Sequence, residues 1–471
     1  MKINRRSLLQ SAGALMGSVT LPSFVMAAGN DGVMTLEAGP AEASLIGAGK
    51  PRTKIWSYNG TAPGPEIRVK QGEEVRVRLV NKLPQPTTIH WHGVRMINPM
   101  DGVPGLTQEA VPPGNSFDYV FRAPDAGTFW YHPHNQTWEQ VARGLYGVLI
   151  VEEIGAPAFD RDLTLVLDDW LLGGTGQIHE SSLGQLRYWS HGGRRGNWPT
   201  VNGRYQPEYA IKPGERVRLR LVNTCNARFL SIRLRNLDAT VIAIDGQPVA
   251  PYAAGHGSIL LAPAQRVDLA FDGTLPSGSA AQIIETSQDF PVTLASLKIT
   301  GPDAVPGPSD RPFEPLPSNP LPEKLSLADA LEVELLMEGG AMGGMRSATY
   351  EGRVMNIRDL VDAGKVWAFN GVVGMTDKPL FDAVKGRTVI VEFVNRTRFA
   401  HPMHVHGHHF KVVKRNGKPI RDAPWRDTEL VRPNEKVAVA FVADNPGKWA
   451  LHCHTLEHVP AGMITWFNVG A

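Results

Sequence analysis

Apolar and polar residues alternate in three similar stretches of the chain, at 67–83, 209–225 and 381–397. Each stretch has a Gly-containing turn, then an alternating run such as E-V-R-V-R-L-V, and closes on Val-Asn. A period of two is typical of a β-strand with one polar and one apolar face. A Pro-containing turn and a further alternating strand follow each copy. The pattern therefore predicts a strand-rich unit repeated three times.

Three such units predict an all-β chain of three sandwich domains in series. We place the domains at 29–155, 156–305 and 326–471, and a Pro-rich linker at 306–325. Short helical turns are expected within 325–335 and 355–364. The length of 471 residues agrees with about three domains.

Residues 1–28 are typical of a signal peptide that is removed after export. Arg5 and Arg6 precede a short apolar run, which ends at the small residues Ala27 and Ala28. The Arg pair resembles a twin-arginine signal, so we expect the twin-arginine machinery to export the chain to the periplasm. No later stretch is long and apolar enough to predict a membrane span in the mature form.

Composition excludes some classes of function. The formal net charge is +2 and 20% of the residues are charged, so nothing indicates a nucleic-acid partner. With two cysteines, Cys225 and Cys453, a disulfide framework is not expected. Cys225 lies in a strand-like context and is interpreted as a buried structural thiol.

Ten of the fifteen histidines lie in four short stretches, at 90–92, 132–134, 401–406 and 452–458, which is hard to explain by core packing. Residues i and i+2 of a strand share a face, so a His-x-His sequence directs two imidazoles at one point. Such pairs occur in the first and third repeats, which we expect to face a shared cavity. Eight imidazoles there suffice for about three metal ions. These eight are His90, His92, His132, His134, His404, His406, His452 and His454.

Cys453 indicates which metal is bound. By alternation it faces away from His452 and His454, where His458, His401 and Met463 can join it. Two His, one Cys and a weak thioether form the ligand set of a blue-copper electron-transfer site. The sequence thus predicts such a site back to back with a polynuclear one.

The stretches HWHG, WYHPH, HPMHVHGH and HCHTLEHVPAGM resemble the four copper-binding signatures of multicopper oxidases. The resemblance implies three cupredoxin-like Greek-key domains. It also implies a trinuclear copper cluster between the first and the third domain. It implies a monomeric enzyme that holds four copper ions. The enzyme would oxidise a reducing substrate one electron at a time and reduce dioxygen to water. The implied ligands of the type 1 copper are His401, Cys453, His458 and Met463. Those of the type 2 copper are His90 and His404. Those of the two type 3 coppers are His92, His132, His134, His406, His452 and His454.

The resemblance also implies catalytic roles. Electrons would pass from Cys453 through His452 or His454, and Asp101 matches the acid that the family places near the type 2 copper. Many bacterial members have a Glu where this chain has Val459, so a proton route from that side is not indicated. Trp425 and Asp427 either line the substrate edge of the type 1 site or only close the sheet.

Two kinds of electron donor stay open: phenolic or aromatic compounds, and Cu(I). Met337, Met342, Met345 and Met355 form either a small Cu(I) site, because thioethers prefer Cu(I), or simple packing. Thr397 and Phe399 stand where cuprous oxidases have an acidic residue and a Met, which favours aromatic donors. The alternatives are a main role as a cuprous oxidase in copper tolerance, and a non-enzymatic copper-binding or cell-envelope relative.

Overall fold

The computed structural model describes residues 32–255, 257–288, 290–301 and 312–471, and strands dominate these residues. The expected signal peptide and part of the expected linker lie outside them. The helices are short: α1 (Thr137–Gln140), α2 (Leu186–Trp189) and α3 (Ile357–Asp362), with 3-10 turns at Asn98–Met100, Glu180–Ser182 and Leu456–His458. No helix among the described residues is long and apolar enough to cross a membrane.

Residues 34–152 form two four-stranded sheets. The strands are β1 (Met34–Ala43), β2 (Thr53–Tyr58), β3 (Ile67–Lys70), β4 (Glu74–Asn81), β5 (His90–His92), β6 (Ser116–Arg122), β7 (Gly127–His132) and β8 (Gly147–Glu152). Their orders are β2-β1-β4-β6 and β3-β8-β7-β5. The two sheets share one apolar core, to which Trp91, Tyr119 and Leu149 belong.

Residues 161–299 form the second pair of sheets. The strands are β9 (Arg161–Trp170), β10 (Trp198–Val201), β11 (Glu208–Ile211), β12 (Arg216–Asn223), β13 (Leu230–Arg235), β14 (Thr240–Ile244), β15 (Gln247–Ala253), β16 (Ile259–Leu261), β17 (Arg266–Asp272), β18 (Ala280–Glu285) and β19 (Val292–Ile299). The orders are β10-β9-β12-β17-β14-β15 and β11-β19-β18-β13-β16.

Residues 331–469 form the third pair. The strands are β20 (Leu331–Gly339), β21 (Ser347–Tyr350), β22 (Arg353–Asn356), β23 (Trp367–Phe369), β24 (Asp382–Ala383), β25 (Thr388–Asn395), β26 (His401–Val405), β27 (Phe410–Arg415), β28 (Lys418–Pro419), β29 (Trp425–Arg426), β30 (Thr428–Val431), β31 (Lys436–Val442), β32 (Gly447–Cys453) and β33 (Ile464–Val469). The orders are β23-β20-β25-β31-β27-β28, with β29 on β27, and β24-β33-β32-β26-β30, while β21 pairs with β22.

The same topology recurs in all three units. Each has one parallel strand pair in each sheet: β1 with β4 and β3 with β8, then β9 with β12 and β11 with β19, then β20 with β25 and β24 with β33. The other pairs between named strands are antiparallel. The prediction of repeated all-β sandwiches is confirmed.

The polar faces of equivalent strands differ in their surroundings. Burial alternates along β4, as the period of two predicts. In β12 the polar face is buried as well, because it packs on the first unit. There Arg218 lies 2.7 Å from Glu153, and Arg220 donates to Thr128 Oγ1 at 2.7 Å. Alternation alone does not distinguish solvent from a second domain.

The two expected helical turns have different outcomes. The turn expected within 355–364 is present as α3. The one expected within 325–335 is wrong: residues 325–330 contain no helix, and from Leu331 the chain forms β20, which pairs in parallel with β25.

Candidate metal centre

Two strand pairs bring the four histidine stretches together. His90 on β5 lies opposite His132 on β7, and His404 on β26 lies opposite His452 on β32. Each pair of neighbouring strands therefore presents imidazoles from two stretches at one end of a sheet. His134 lies two residues after the end of β7, and His406 directly follows the end of β26.

The eight predicted imidazoles meet in one buried cavity between the first and third units. His134 Nε2 and His406 Nε2 both face His452 Nε2, at 3.3 and 2.9 Å. A second trio, His92, His132 and His454, has ring centroids 4.9 to 5.9 Å apart. The rings of the remaining pair, His90 and His404, are 5.8 Å apart. These sets adjoin one another: the ring of His404 is 3.7 Å from that of His92, and the ring of His406 is 3.9 Å from that of His90.

Several of these rings are oriented by hydrogen bonds on one nitrogen only. The Nδ1–H groups of His90, His132 and His404 donate to the carbonyl oxygens of Asp101, Pro133 and Asp427 at 2.8 to 2.9 Å. Their Nε2 atoms are buried and have no hydrogen-bond partner. A buried polar atom without a partner is costly unless something binds it. Fixed rings with inward lone pairs fit a bound metal ion.

The protonation of the cavity also fits metal binding. Burial, followed by repulsion from the other imidazoles, lowers the pKa of His134, His406 and His454 well below 6.5. Burial also lowers the pKa of His452 to about 4. The rings are neutral at pH 7, which is the form that ligates a metal.

The second predicted site lies on the other side of Cys453. Cys453 Sγ is 3.5 Å from the Nδ1 atoms of both His401 and His458, and these two atoms are 3.2 Å apart. All three residues are buried. Burial raises the pKa of the Cys453 thiol to about 12, so a bound cation would be needed to hold it as thiolate. Met463 is buried beside them, and its amide donates to the His458 carbonyl at 2.9 Å.

The outer nitrogens of this group have different surroundings. His401 Nε2–H donates to Thr397 Oγ1 inside the core at 2.7 Å. His458 Nε2–H donates to the carbonyl of His191 at 2.6 Å. His191 belongs to the second unit and its side chain is exposed. His458 is therefore the ligand candidate that leads toward the surface.

Asp101 lies at the histidine cavity, as predicted for an acid near the type 2 copper. Its carboxylate accepts from His406 Nδ1–H at 2.9 Å, and its backbone carbonyl accepts from His90. The side chain is fully buried, and its Oδ1 has no hydrogen-bond partner in the described structure.

Asp427 corrects one expectation. It does not line an edge of the Cys453 site, but contacts the histidine cavity. Asp427 Oδ1 accepts from His92 Nε2–H at 3.0 Å, and Arg266 Nη2 donates to Asp427 Oδ2 at 2.6 Å. Asp427 occupies the break between β29 and β30, where the chain turns inward. Sequence reasoning missed Arg266, which no local motif marks.

His408 and His409 follow the third stretch and are not among the eight imidazoles of the cavity. His408 packs against Phe441 and Trp449. His409 lies between two carboxylates, with Nδ1 at 3.7 Å from Asp125 and Nε2 at 3.6 Å from Asp427.

Comparisons with known proteins agree with this geometry. Residues 41–155, 160–275 and 349–471 match three sequence profiles described as multicopper oxidase. The chain is 31% identical to the multicopper oxidase MmcO of Mycobacterium tuberculosis, over 92% of this chain and 86% of that protein. It is 28% identical to Laccase-1 of Botryotinia fuckeliana, over 87% and 78%.

The fold agrees as well. The crystal structure of a multi-copper oxidase from Pseudomonas thermotolerans is similar with a TM-score of 0.80 and 34% identity, over 93% of this chain and 99% of that one. The chain belongs to the multicopper oxidase family. The predictions of cupredoxin-like domains and of an oxidoreductase are confirmed. The protein is a copper enzyme that passes electrons from a reducing substrate to dioxygen.

Proposed function

We propose that this oxidase holds four copper ions per chain in two sites. The observation that carries the proposal is the tripeptide His452-Cys453-His454, whose side chains join a buried thiol site to the histidine cavity. His401, Cys453, His458 and Met463 would hold the type 1 ion. His90 and His404 would hold type 2, and the two trios of imidazoles would hold the type 3 pair.

Copper, when bound, would supply the redox chemistry: single-electron uptake at one site and dioxygen reduction at the other. The chain itself supplies the path between the sites. From Cys453 Sγ, covalent bonds lead along the backbone to His452 and His454, so the path is short and fixed in length. Burial of both sites excludes water from it.

Asp101 would pass protons to the histidine cavity. Four electrons and four protons convert one dioxygen to two waters, so a group that donates protons is needed. Its position against His90 and His406 supports this role. The variant Asp101→Asn keeps the size but not the acid. We expect its reoxidation by dioxygen to slow by about a hundredfold, as measured by stopped-flow absorption, with copper content unchanged. Reoxidation at the parental rate would exclude Asp101 as the proton donor.

An aromatic electron donor is better supported than Cu(I). Met337 is buried in the core of the third unit. Met345 and Met355 pack on an apolar cluster around Leu360, whereas Met342 is exposed. Three of the four methionines therefore pack on apolar residues and the fourth is exposed. This favours the packing interpretation over a Cu(I) site.

Oxygen uptake with dimethoxyphenol and, separately, with Cu(I) tests the function. We expect uptake with the phenol in the fully copper-loaded enzyme. Faster uptake with Cu(I), lost when residues 340–346 are shortened, would indicate a cuprous oxidase. No uptake with either donor would contradict the oxidase function of both sites.

We further propose export to the periplasm by the twin-arginine machinery, a monomeric state, and domain boundaries near 155 and between 305 and 326. The Arg5–Arg6 pair supports the first. The ends of β8 at Glu152 and of β19 at Ile299, and the start of β20 at Leu331, support the boundaries. Cleavage after Ala28, determined by N-terminal sequencing of the exported protein, tests the signal.

A further inference from the structure

A segment of the second domain, residues 186–195, covers the outer edge of the proposed type 1 site. The carbonyl of His191 accepts from His458 Nε2–H at 2.6 Å. The carbonyl of Trp189 accepts from Trp367 Nε1–H, also at 2.6 Å, and the carbonyl of Ser190 accepts from the amide of Ala341 at 2.7 Å. Three hydrogen bonds therefore fix this backbone between His458 and the surface.

Aromatic rings continue outward from this segment. The exposed imidazole of His191 lies 5.7 Å from the half-buried ring of Phe399, at an angle of 63°. Phe399 in turn lies 5.9 Å from Trp367, whose ring is 4.4 Å from that of His458. We define His191, Phe399 and their flanking residues 186–195 and 396–400 as the donor rim.

The exposed charged side chains of the donor rim are positive. Its two segments, LRYWSHGGRR and RTRFA, contain five arginines and no acidic residue. Arg194 is buried and donates to Ser182 Oγ, while Arg187 stacks over the ring of Tyr188. Arg195, Arg396 and Arg398 are exposed. Arg398 is exposed and directly precedes the half-buried Phe399 in the chain.

We propose that His191, Phe399 and Arg398 make the enzyme specific for anionic aromatic donors, namely phenols that carry a carboxylate. This inference rests on the proposed type 1 site. The rings offer stacking to a flat donor, and a guanidinium matches a carboxylate by two parallel hydrogen bonds. The same positive field lowers the local concentration of Cu(I). Each donor loses one electron and its phenolic proton to become a phenoxyl radical, and four such events reduce one dioxygen to two waters.

The variant Arg398→Glu tests the proposal, with Arg398→Lys as the conservative variant. Arg233→Glu, an equal charge change at an exposed position of β13, is the control. Loss of the blue absorption is followed without oxygen, using 4-hydroxy-3,5-dimethoxybenzoate, its methyl ester and Cu(I). We expect the acid to react about tenfold faster than the ester at low salt and less so at high salt. Arg398→Glu should abolish this preference and Arg398→Lys should reduce it, because an ammonium keeps the charge but cannot form the two parallel hydrogen bonds, while the control keeps it.

A second measurement does not depend on electron transfer. Binding of 3,4,5-trimethoxybenzoate, which has no phenolic hydrogen, is followed by calorimetry on copper-loaded and copper-free protein. We expect it to bind the parent and to bind His191→Ala and Arg398→Glu several-fold more weakly. Equal preference in Arg398→Glu and parent, with normal colour and oxygen uptake, would overturn the specificity. Absence of colour or uptake in the parent would instead contradict the proposed function.

Discussion

Replacing Arg266 by methionine should destabilise the docking of the second domain against the third. Arg266 is fully buried, and its guanidinium binds both oxygens of Asp427 at 2.9 and 2.6 Å. Although burial opposes it, Arg266 holds the pKa of Asp427 well below its usual value. Methionine preserves much of the side-chain volume but removes the charge, so the Asp427 carboxylate would remain buried without this cation.

The expected magnitude follows from that uncompensated charge. Removing one partner of a buried ion pair costs about 3–5 kcal/mol. Asp427→Asn should cost less, roughly 1–3 kcal/mol. The reason is Asp245, which lies 3.6 Å from Arg266. Burial and the Asp427 charge raise the pKa of Asp245 to about 6, so at pH 7 Asp245 is already largely ionised and still balances Arg266 when Asp427 is neutralised.

Thermal unfolding of the copper-free proteins measures the difference without a contribution from metal loss. At about 2–4 °C per kcal/mol for domains of this size, Arg266→Met should lower the unfolding midpoint by roughly 6–20 °C. The control Arg122→Met, on the exposed end of β6, should change stability by no more than about 0.5 kcal/mol. A midpoint for Arg266→Met equal to that of Asp427→Asn, or higher, would refute the reasoning.

Three further predictions concern the metal sites and the pH dependence of stability. Cys453→Ser should remove the intense blue absorption, and persistence of the colour would contradict the type 1 assignment. His452→Ala should retain the blue absorption but lose oxygen uptake, because it strips the histidine cavity and spares the thiol site; loss of both would show the two sites to be inseparable. Burial and the neighbouring Asp169 raise the pKa of Asp168 from 3.8 to about 7, so the folded state retains a proton that the unfolded chain releases. The contribution of Asp168 to the free energy of unfolding is therefore lost as pH rises through this range. Asp168→Asn should gain stability relative to the parent from pH 4 to pH 7 in urea unfolding of copper-free protein, and a constant difference would contradict the pKa.

The candidate ligands could be predicted because their signal is local. Two imidazoles at i and i+2 of a strand share a face whatever the rest of the chain does, as at His90 and His92. The alternation around Cys453 likewise separates it from His452. Assigning the strands to three repeats needed only the recurring turn and alternation.

The groups behind the ligands could not be predicted in this way. Arg266 and Asp427 are 161 residues apart and meet only because the second domain packs on the third. Asp427 was misplaced because sequence proximity to Trp425 suggested a shared edge, whereas a strand break turns it inward. Burial of Arg218 and Arg220 similarly depends on the neighbouring domain and not on the period of their strand.

The histidine cavity takes half its imidazoles from the first domain and half from the third. Any ion held by both halves can bind fully only while the two domains are docked. Metal occupancy and domain docking are then a single linked equilibrium, and each must strengthen the other to the same extent. A free copper concentration a hundred times the dissociation constant would add about 2.7 kcal/mol to the free energy of separating the two domains. Copper would thus serve as a reversible cross-link between two parts of the chain that are distant in sequence.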